Sequence, residues 1–211
     1  MKQNENFLEV KHPVLKRDLT ILRDLKTNPE LFRSAVTRIS TVLAVEISRS
    51  FSIIEKEIET PLEKTTGYFL NEDVVLVPVL RAGLGMVSGF LSVLPRAKVG
   101  HIGLQRDENT LQPLEYYYKT PSNIDKSKIL LLDPMLATGG SSAAAISFLK
   151  KRGAKDITFA CLVAAPEGVE LLETKHPEVK IYGASLDREL NENGYILPGL
   201  GDAGDRTFGT L

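Results

Sequence analysis

One stretch of the chain, ILLLDPMLATGGSS at residues 129 to 142, combines an acid with a run of small polar residues. Glycines leave main-chain N–H groups uncovered, and the first turn of a helix leaves its amides without internal partners. Such a loop attracts phosphate, and the hydroxyls of Thr138, Ser141 and Ser142 can add donors. Ser141 or Ser142 could instead cap the helix that follows. The stretch therefore predicts either an anion site or an ordinary capped turn.

A second turn with anion-binding chemistry follows the apolar run DVVLVPVL, where RAGLG carries the cationic Arg81. The glycines at 83, 85 and 89 miss the dinucleotide-binding spacing by one residue, and no lysine stands where a Walker loop needs one. Two separate anion sites predict a ligand with two phosphorylated positions. The acid Asp133 can accept from the paired hydroxyls of a ribose. The two loops together indicate a ribose phosphate ligand.

The segments that must position these loops alternate between strands and helices. Apolar runs of strand length lie at 73–80, 98–104, 128–133, 157–165 and 179–185. Helices are predicted at 86–94, after the 129–142 stretch, and from Pro166. Strands that are apolar throughout and separated by helices favour an α/β fold with a mainly parallel, doubly wound sheet covered on both faces. In such a sheet the ligand site lies at the carboxyl ends of the strands.

An amphipathic helix is predicted near the amino terminus, with Thr27 or Asn28 as its cap and Pro29 in its first turn. Its apolar face repeats at helical spacing through Phe32, Val36, Ile39, Leu43 and Ile47.

Two segments interrupt this alternation. Residues 105–123 are polar, contain the cluster Tyr116 to Tyr118, and predict a β-hairpin or flap that projects from the sheet. The carboxyl tail, YILPGLGDAGDRTFGTL, is rich in glycine, and its Asp205 and Arg206 are interpreted as a local ion pair.

The bulk composition predicts one ordinary globular domain. The chain has 211 residues, a net charge of -1, 43% hydrophobic and 25% charged residues, so a nucleic-acid partner is not expected. The single cysteine, Cys161, is expected in the core and excludes an intrachain disulfide. No run is long enough to cross a bilayer and no signal core is seen, so no membrane association and a cytoplasmic location are expected.

The residues from Asp133 to Ser141 resemble the signature with which phosphoribosyltransferases bind phosphoribosyl pyrophosphate. The segments VLRAGLGM, RDENTLQPLEYY and GLGDAGDR are similar to those of the uracil phosphoribosyltransferase family, and the resemblance runs from about residue 10 to the end. It implies an enzyme that joins uracil to phosphoribosyl pyrophosphate to give UMP and pyrophosphate. It also implies one domain over 1–211, with an N-terminal helical region at 14–52, a core at 73–185 and a glycine-rich, base-binding hood at 186–211.

The resemblance also assigns roles to single residues. The donor loop is implied at Asp133, Pro134, Met135, Leu136, Ala137, Thr138, Gly139, Gly140 and Ser141. Within it, 137–141 would hold the 5-phosphate and Asp133 the ribose hydroxyls. Arg81 and Arg106 are implied at the pyrophosphate and Asp202 near the donor. Uracil is implied at Ile196, Gly201, Asp202 and Ala203. Mg2+ is expected to arrive bound to the diphosphate, because that ion favours phosphate oxygens over an all-protein cage.

Arg106 and Asp202 are the candidate catalytic residues. Negative charge builds on the departing diphosphate, and a guanidinium on the flap could stabilise it while closing the site; the alternative is a solvated pair of Arg106 with Asp107. Asp202 could help the ring nitrogen of uracil lose its proton, or only order the donor. Tyr195 is interpreted as a core residue, with contact to the base as the alternative.

The sequence departs from related enzymes in two places. Pro134 and Ala137 stand where purine-type relatives carry acids, so a general base near the loop is not expected. Gln105 replaces an aromatic residue, which removes a stacking contact from that position.

The expected partners are the two substrates and further copies of the chain, as a homodimer or homotetramer, with GTP as a possible effector. Two other functions are alternatives: an RNA-binding regulator of the same fold, which the near-neutral charge disfavours, and an enzyme of the same chemistry that uses xanthine or another base.

Overall fold

The computed structural model describes residues 6–106 and 113–210, without the side chains of Gln105, Arg106 and Pro113. Residues 107–112, which belong to the predicted flap, lie outside the described residues. The helices are α1 (Pro13–Arg23), α2 (Pro29–Ser48), α3 (Leu84–Val93), α4 (Gly140–Lys151), α5 (Pro166–Lys175) and α6 (Ala203–Phe208). The strands are β1 (Phe7–Glu9), β2 (Ile53–Glu59), β3 (Lys64–Leu70), β4 (Val74–Leu80), β5 (Lys98–Val99), β6 (His101–Arg106), β7 (Pro113–Lys119), β8 (Lys128–Leu132), β9 (Met135–Leu136), β10 (Asp156–Ala164), β11 (Lys180–Leu186), β12 (Glu189–Leu190) and β13 (Ile196–Leu197).

The main sheet has the strand order β1-β11-β10-β8-β4-β6-β7, with β5 added beside β4 and β9 beside β10. Neighbouring strands are parallel except for β6 and β7, which pair antiparallel. The central strands β4, β8 and β10 are buried along almost their whole length. The predicted mainly parallel α/β fold is confirmed.

Helices cover both faces of this sheet. Val74 and Leu76 of β4 pack toward a core that α1, α2 and α3 supply, while Val75 and Val77 pack toward a second core with α4 and α5. This alternation follows from the two-residue period of a strand, and it explains why the central strands carry apolar residues on both faces. Cys161 is buried in the second core, as predicted.

Helix α2 confirms the amphipathic prediction and decides its cap. The side chain of Asn28 accepts from the main-chain N–H of Leu31 at 2.9 Å, and Pro29 occupies the first turn. The five predicted apolar side chains are all buried. Helix α3 approaches α2 closely at Gly89, where a Cβ atom would lie 2.4 Å from the carbonyl oxygen of Thr37.

A buried ion pair joins α1 to α2. The Asp18 side chain has no exposed surface, and it accepts from Nε and Nη2 of Arg38, each at 2.9 Å, and from Arg17. Its described partners all lie on these two helices. The ion pair therefore connects the two helices and does not hold a loop in place.

Two predictions about strands need correction. The run 98–104 forms two short strands and not one, because the chain breaks at Gly100, where a Cβ atom would lie 2.9 Å from the carbonyl oxygen of Lys119. A second hairpin, β2–β3, was not predicted; it pairs from Ile53 opposite Leu70 to Glu59 opposite Lys64. The tyrosines of the predicted hairpin lie on β7, which pairs antiparallel with β6 at the edge of the main sheet; the projecting flap stays a prediction. Among helices in the described ranges, none has both the length and the apolarity needed to cross a bilayer.

Candidate active site

A cavity of about 370 Å³ lies at the carboxyl ends of β4 and β8. Five of the predicted site residues line it: Arg81, Asp133, Met135, Ser141 and Asp202. Its remaining wall is formed by Val79, Leu80, Ala82, Leu104 and Gly204. A larger hollow of about 560 Å³, lined by residues 68–74 and 94–98, lies near the amino end of β4 and contains no predicted site residue.

The phosphate loop, residues 133–141, connects β8 to α4. Gly139 adopts a left-handed conformation with φ +77°, and its Cβ would lie 2.9 Å from the carbonyl oxygen of Gly168, so only glycine fits there. The cap position of α4 is Gly139, Ser141 lies inside the helix, and the described side-chain contact with the first amides is one long hydrogen bond, 3.5 Å, from the amide of Gly140 to the hydroxyl of Thr138. The interpretation of Ser141 or Ser142 as the cap is therefore wrong, and the amides that follow Gly140 are open to an anion.

Two members of this loop use their carbonyls in the sheet. The carbonyl of Pro134 accepts from the amides of Leu162 and Val163 at 3.0 and 3.2 Å, and that of Leu136 accepts from Ala165 at 2.8 Å. These two residues therefore fix the path of the phosphate loop along β10. Thr138 is exposed.

Asp133 occupies the first position of the phosphate loop. Its Oδ1 accepts one long hydrogen bond, 3.4 Å, from the amide of Met135. Asp133 is partly buried and lines the cavity, and loss of hydration raises the pKa of its carboxyl group to about 7. A carboxylate with so little internal compensation is suited to accept hydrogen bonds from a ligand.

The arginine turn, residues 81–85, is pressed against the end of β8. A Cβ on Gly83 would lie 2.3 Å from the carbonyl oxygen of Leu132, so only glycine allows this approach. Arg81 and Asp133, which follow the two strands, both line the cavity. The Arg81 side chain is 60% exposed and contacts Asp205 at 3.4 Å, a long and solvated ion pair.

The tail loop, residues 196–203, contributes the third wall. Gly199 and Gly201 have φ of +61° and +76°, and the Leu197–Pro198 peptide is cis. Asp202 lines the cavity, and its Oδ1 accepts from the amide of Asp205 at 2.9 Å, which caps α6. Asp202 thus combines a capping role with access to the site.

The other predicted base-binding residues are arranged around this cap. Ile196 and Ala203 are buried, Gly201 is exposed, and none of the three lines the cavity in this structure. Tyr195 is 52% exposed, so its interpretation as a core residue is wrong. The side chain of Arg106 is outside the described residues, so its place at the pyrophosphate stays a prediction.

Sequence reasoning missed the contacts that hold the tail loop. The predicted ion pair between Asp205 and Arg206 is not formed. The guanidinium of Arg206 instead donates to the carbonyls of Leu22, Leu200 (2.7 Å) and Asp24 (2.6 Å). Leu22 and Asp24 lie at the end of α1, 184 and 182 positions away in the chain, whereas Leu200 belongs to the tail loop itself. No local pattern in the sequence signals such contacts.

An ion pair between Asp187 and Arg23 is a second contact between distant residues that sequence reasoning missed. The Asp187 side chain is 2% exposed; its oxygens accept from Nη1 and Nη2 of Arg23 at 2.7 and 2.6 Å and from Ser185 at 2.7 Å. Burial alone would raise the pKa of Asp187, but the hydrogen bonds from Arg23 and Ser185 hold that pKa below its ordinary value. The pair is therefore ionised.

Solved structures with the same architecture define the class of protein. The structure of AQ2163 protein from Aquifex aeolicus is similar over 96% of this chain and 97% of that one, with 37% identity and a TM-score of 0.90. A hypoxanthine-guanine phosphoribosyltransferase from Bacillus anthracis shares the fold at 14% identity, covering 75% and 80% of the two chains with a TM-score of 0.54. The fold, with its strand-end cavity and phosphate loop, is that of the phosphoribosyltransferases.

Sequence comparisons then narrow the class to one family. The family model described as uracil phosphoribosyltransferase matches residues 9–210. A uracil phosphoribosyltransferase of Finegoldia magna is 56% identical over 200 residues, covering 94% of this chain and 96% of the relative. One from Salinibacter ruber is 55% identical over 206 residues, covering 98% of both. The chain belongs to the uracil phosphoribosyltransferase family.

Proposed function

We propose that this protein transfers the phosphoribosyl group of 5-phosphoribosyl 1-pyrophosphate to uracil, giving UMP and pyrophosphate in pyrimidine salvage. The observation that carries this proposal is the convergence of Arg81, Asp133, Ser141 and Asp202 on one strand-end cavity. This set supplies a cation, an acceptor for sugar hydroxyls, a phosphate-binding helix start and an acid beside the base-binding tail. Family membership makes the protein a pentosyltransferase.

The donor's 5-phosphate would bind the amides and hydroxyls of 137–141. This assignment is supported by the amino end of α4, where the described structure places one long side-chain hydrogen bond, 3.5 Å, from the amide of Gly140 to the hydroxyl of Thr138. Asp133 would accept from the ribose hydroxyls, because its carboxylate receives only one long hydrogen bond within the protein. The remaining loop members, Pro134 and Leu136, would shape the loop through their bonds to β10.

Arg81 and Arg106 would hold the diphosphate that leaves. Arg81 is supported by its place on the cavity wall and by its weak, exposed pair with Asp205, which a diphosphate can displace. As the bond to the sugar breaks, charge gathers on the diphosphate oxygens, and a preorganised guanidinium there contributes about 2 to 4 kcal/mol to the transition state. Arg106 ends β6 at the start of the predicted flap, and its catalytic role rests on the resemblance.

Magnesium fits this site as a companion of the donor. Asp133 offers a carboxylate oxygen with few internal partners, and this is the ligand type that Mg2+ combines with phosphate oxygens and water. When bound, the ion would neutralise part of the charge on the diphosphate. The protein's own residues then orient the sugar and exclude water.

Uracil would be read by the tail loop, at Ile196, Gly201, Asp202 and Ala203. Its edge presents an acceptor, a donor and an acceptor, which rigid main-chain groups can match. Cytosine would leave such buried groups unpaired, at a cost of about 1 to 3 kcal/mol for each. Asp202 would assist removal of the ring proton or order the donor. The half-exposed Tyr195 is available beside this loop.

A homodimer or homotetramer in the cytoplasm completes the proposal. Support comes from β2–β3, a two-stranded hairpin whose Ile53, Tyr68 and Leu70 are exposed. An isolated hairpin of this size is marginally stable in water, so contact with a second copy of the chain would stabilise it. Sedimentation of the purified protein tests this assembly, and a monomer at micromolar concentration would contradict it. Control by GTP stays a prediction.

The reaction is tested by mixing the protein with magnesium, uracil and phosphoribosyl pyrophosphate and following UMP by chromatography. Cytosine, hypoxanthine and xanthine serve as control bases. UMP formation with uracil, and little product with the other bases, is expected. Equal or greater product with xanthine would favour the alternative substrate, and salt-sensitive RNA binding without product would favour the regulator.

The role of Arg106 has its own test. Arg106→Ala is expected to lower kcat about 100-fold or more, because the departing charge loses a donor. Arg96→Ala, which removes an exposed arginine from the hollow near the amino end of β4, is the matched control and should keep wild-type kcat. Unchanged turnover in Arg106→Ala would reject the flap role and favour the solvated pair with Asp107.

A further inference from the structure

The main-chain groups of Gly199 are held by the ion pair between Arg23 and Asp187. The amide of Gly199 donates to Oδ2 of Asp187 at 2.9 Å, and its carbonyl accepts from Nη1 of Arg23 at 2.8 Å. The same Nη1 donates to Oδ2 of Asp187 at 2.7 Å. One buried ion pair therefore fixes both the donor and the acceptor of a single residue in the middle of the tail loop.

The backbone conformation of the tail loop is tightly restricted at Gly199. A Cβ atom there would lie 2.1 Å from the carbonyl oxygen of Ile196, and its φ is +61°. On its two sides lie the base-binding residues of the proposed function: Ile196 before it, and Gly201 to Ala203 after it. A rotation of the Gly199 peptide groups would move both sides of the loop, because they are only a few bonds away.

Local structure is too short to hold the tail loop by itself. β13 has two residues and α6 has six. Segments of this length have little intrinsic stability, so the conformation between them depends on contacts from elsewhere. Arg23 comes from the last turn of α1, and Asp187 follows β11, so the loop is connected to rigid elements of the main fold.

Stability alone is a weak reason for such a pair. A buried, bidentate ion pair must offset the loss of hydration of both ions, and apolar replacements of similar volume are often equally stable. An apolar pair, however, cannot form hydrogen bonds with the amide and the carbonyl of Gly199. Neither Arg23 nor Asp187 lines the cavity, so neither touches the reacting atoms in this structure.

We propose that Arg23 and Asp187 are positioning residues for base recognition, which set the orientation of Gly199 and thereby the register of the uracil-binding loop. This inference deepens the proposed function and rests on it. The pair acts on the nucleobase side of the site. The phosphate loop, which is held by β8, β10 and α4, does not depend on it.

The test compares variants of this pair with a matched pair elsewhere. Asp187→Asn keeps the shape but loses the charge and one acceptor; its KM for uracil is expected to rise about tenfold, while its KM for phosphoribosyl pyrophosphate changes less than about twofold. Arg23→Lys keeps the charge but cannot reach both partners, and its KM for uracil should rise about threefold. Selectivity for uracil over cytosine should fall in both variants.

Two further variants separate positioning from stability. The double variant Arg23→Met with Asp187→Leu leaves the buried amide and carbonyl of Gly199 without these partners but leaves no lone buried ion, so it is expected to lower the melting temperature no more than Asp18→Asn does, while the KM for uracil stays raised. Asp18→Asn is the control: it breaks the ion pair between α1 and α2, should lower the melting temperature, and should leave the KM for uracil unchanged.

The outcomes distinguish this inference from the proposed function. If the wild-type protein forms no UMP, the proposed function fails, and this inference fails with it. If the wild type is active but the apolar double variant has a wild-type KM for uracil, only the positioning role is overturned. Equal rises in both KM values would overturn it too. Should Asp187→Asn not fold, Arg23→Lys and the double variant decide by the same criteria.

Discussion

The phosphate loop and the tail loop face the same cavity but are held in place by different means. The phosphate loop lies between β8 and α4, where Gly139 turns the chain, and its main chain pairs with β10 through β9. The tail loop is held by the side chains of Arg23 and Asp187 and by Arg206 bound to the end of α1. The comparison teaches that a loop can be held by main-chain pairing within the sheet or by side chains of distant residues, and that these two cases respond differently to mutation.

The largest effect is expected from Gly199→Ala in the tail loop. The methyl group would collide with the carbonyl of Ile196 and force an alanine to keep a positive φ, so we expect a loss of about 3 kcal/mol or more in the free energy of unfolding. The KM for uracil should rise more than that for the donor. Urea denaturation and steady-state kinetics measure the two effects, and an unchanged denaturation midpoint would show that the loop relaxes freely.

Arg206→Met should give the next largest effect. Methionine can keep the contact with Phe32 but leaves the carbonyls of Leu22, Leu200 and Asp24 without their donor, which costs about 2 to 3 kcal/mol. The KM for uracil should rise about tenfold. Arg33→Met, which removes a donor from the single carbonyl of Thr207, is the control and should cost about 1 kcal/mol. Equal losses in the two variants would contradict the role given to Arg206.

Asp133→Asn tests the chemistry of the phosphate loop through pH. The carboxyl ionises near 3.8 when unfolded and near 7 when folded, so between these values the unfolded chain loses its proton first and rising pH destabilises the fold. Asparagine removes this effect. The difference in the free energy of unfolding between the variant and the wild type should be on the order of 2 kcal/mol more in favour of the variant at pH 8 than at pH 5. The KM of the variant for the donor should rise.

Thermal unfolding of both proteins across this pH range provides the measurement for Asp133. A stability difference that does not change with pH would mean that the folded carboxyl titrates near its ordinary value.

The smallest effect is expected from Gly140→Ala, the counterpart of Gly199→Ala in the phosphate loop. A Cβ on Gly140 has only the Thr138 hydroxyl within 4 Å, at 3.7 Å, and alanine suits the first turn of a helix. The free energy of unfolding should stay within about 0.5 kcal/mol, while the KM for the donor rises because a methyl group now lies beside the phosphate-binding amides. A loss comparable to that of Gly199→Ala would remove the distinction between the loops.

Most of the fold could be predicted because its signals are periodic and local. β4 is apolar at each position, β8 is apolar after Lys128, and β10 is apolar except at Asp156 and Thr158, while α2 repeats its apolar face every three to four residues. The hairpin β2–β3 was missed, because its strands IIEKEIE and KTTGYFL are mostly exposed and carry no buried face. The prediction of one strand over 98–104 is wrong, because the close approach of the main chain at Lys119 to Gly100 does not change the hydrophobic pattern of the sequence.

The sequence by itself determined the mainly parallel α/β class and the residue types of the phosphate loop and the arginine turn, because each of these depends on patterns within short segments. Only the tertiary structure decided how the tail loop is held, that Arg206 binds carbonyls and not Asp205, and that Tyr195 is exposed. The physical reason is the range of the interactions. Backbone conformation and hydrophobic period act between near neighbours, whereas a hydrogen bond from Arg23 to Gly199 spans 176 positions that only folding brings together.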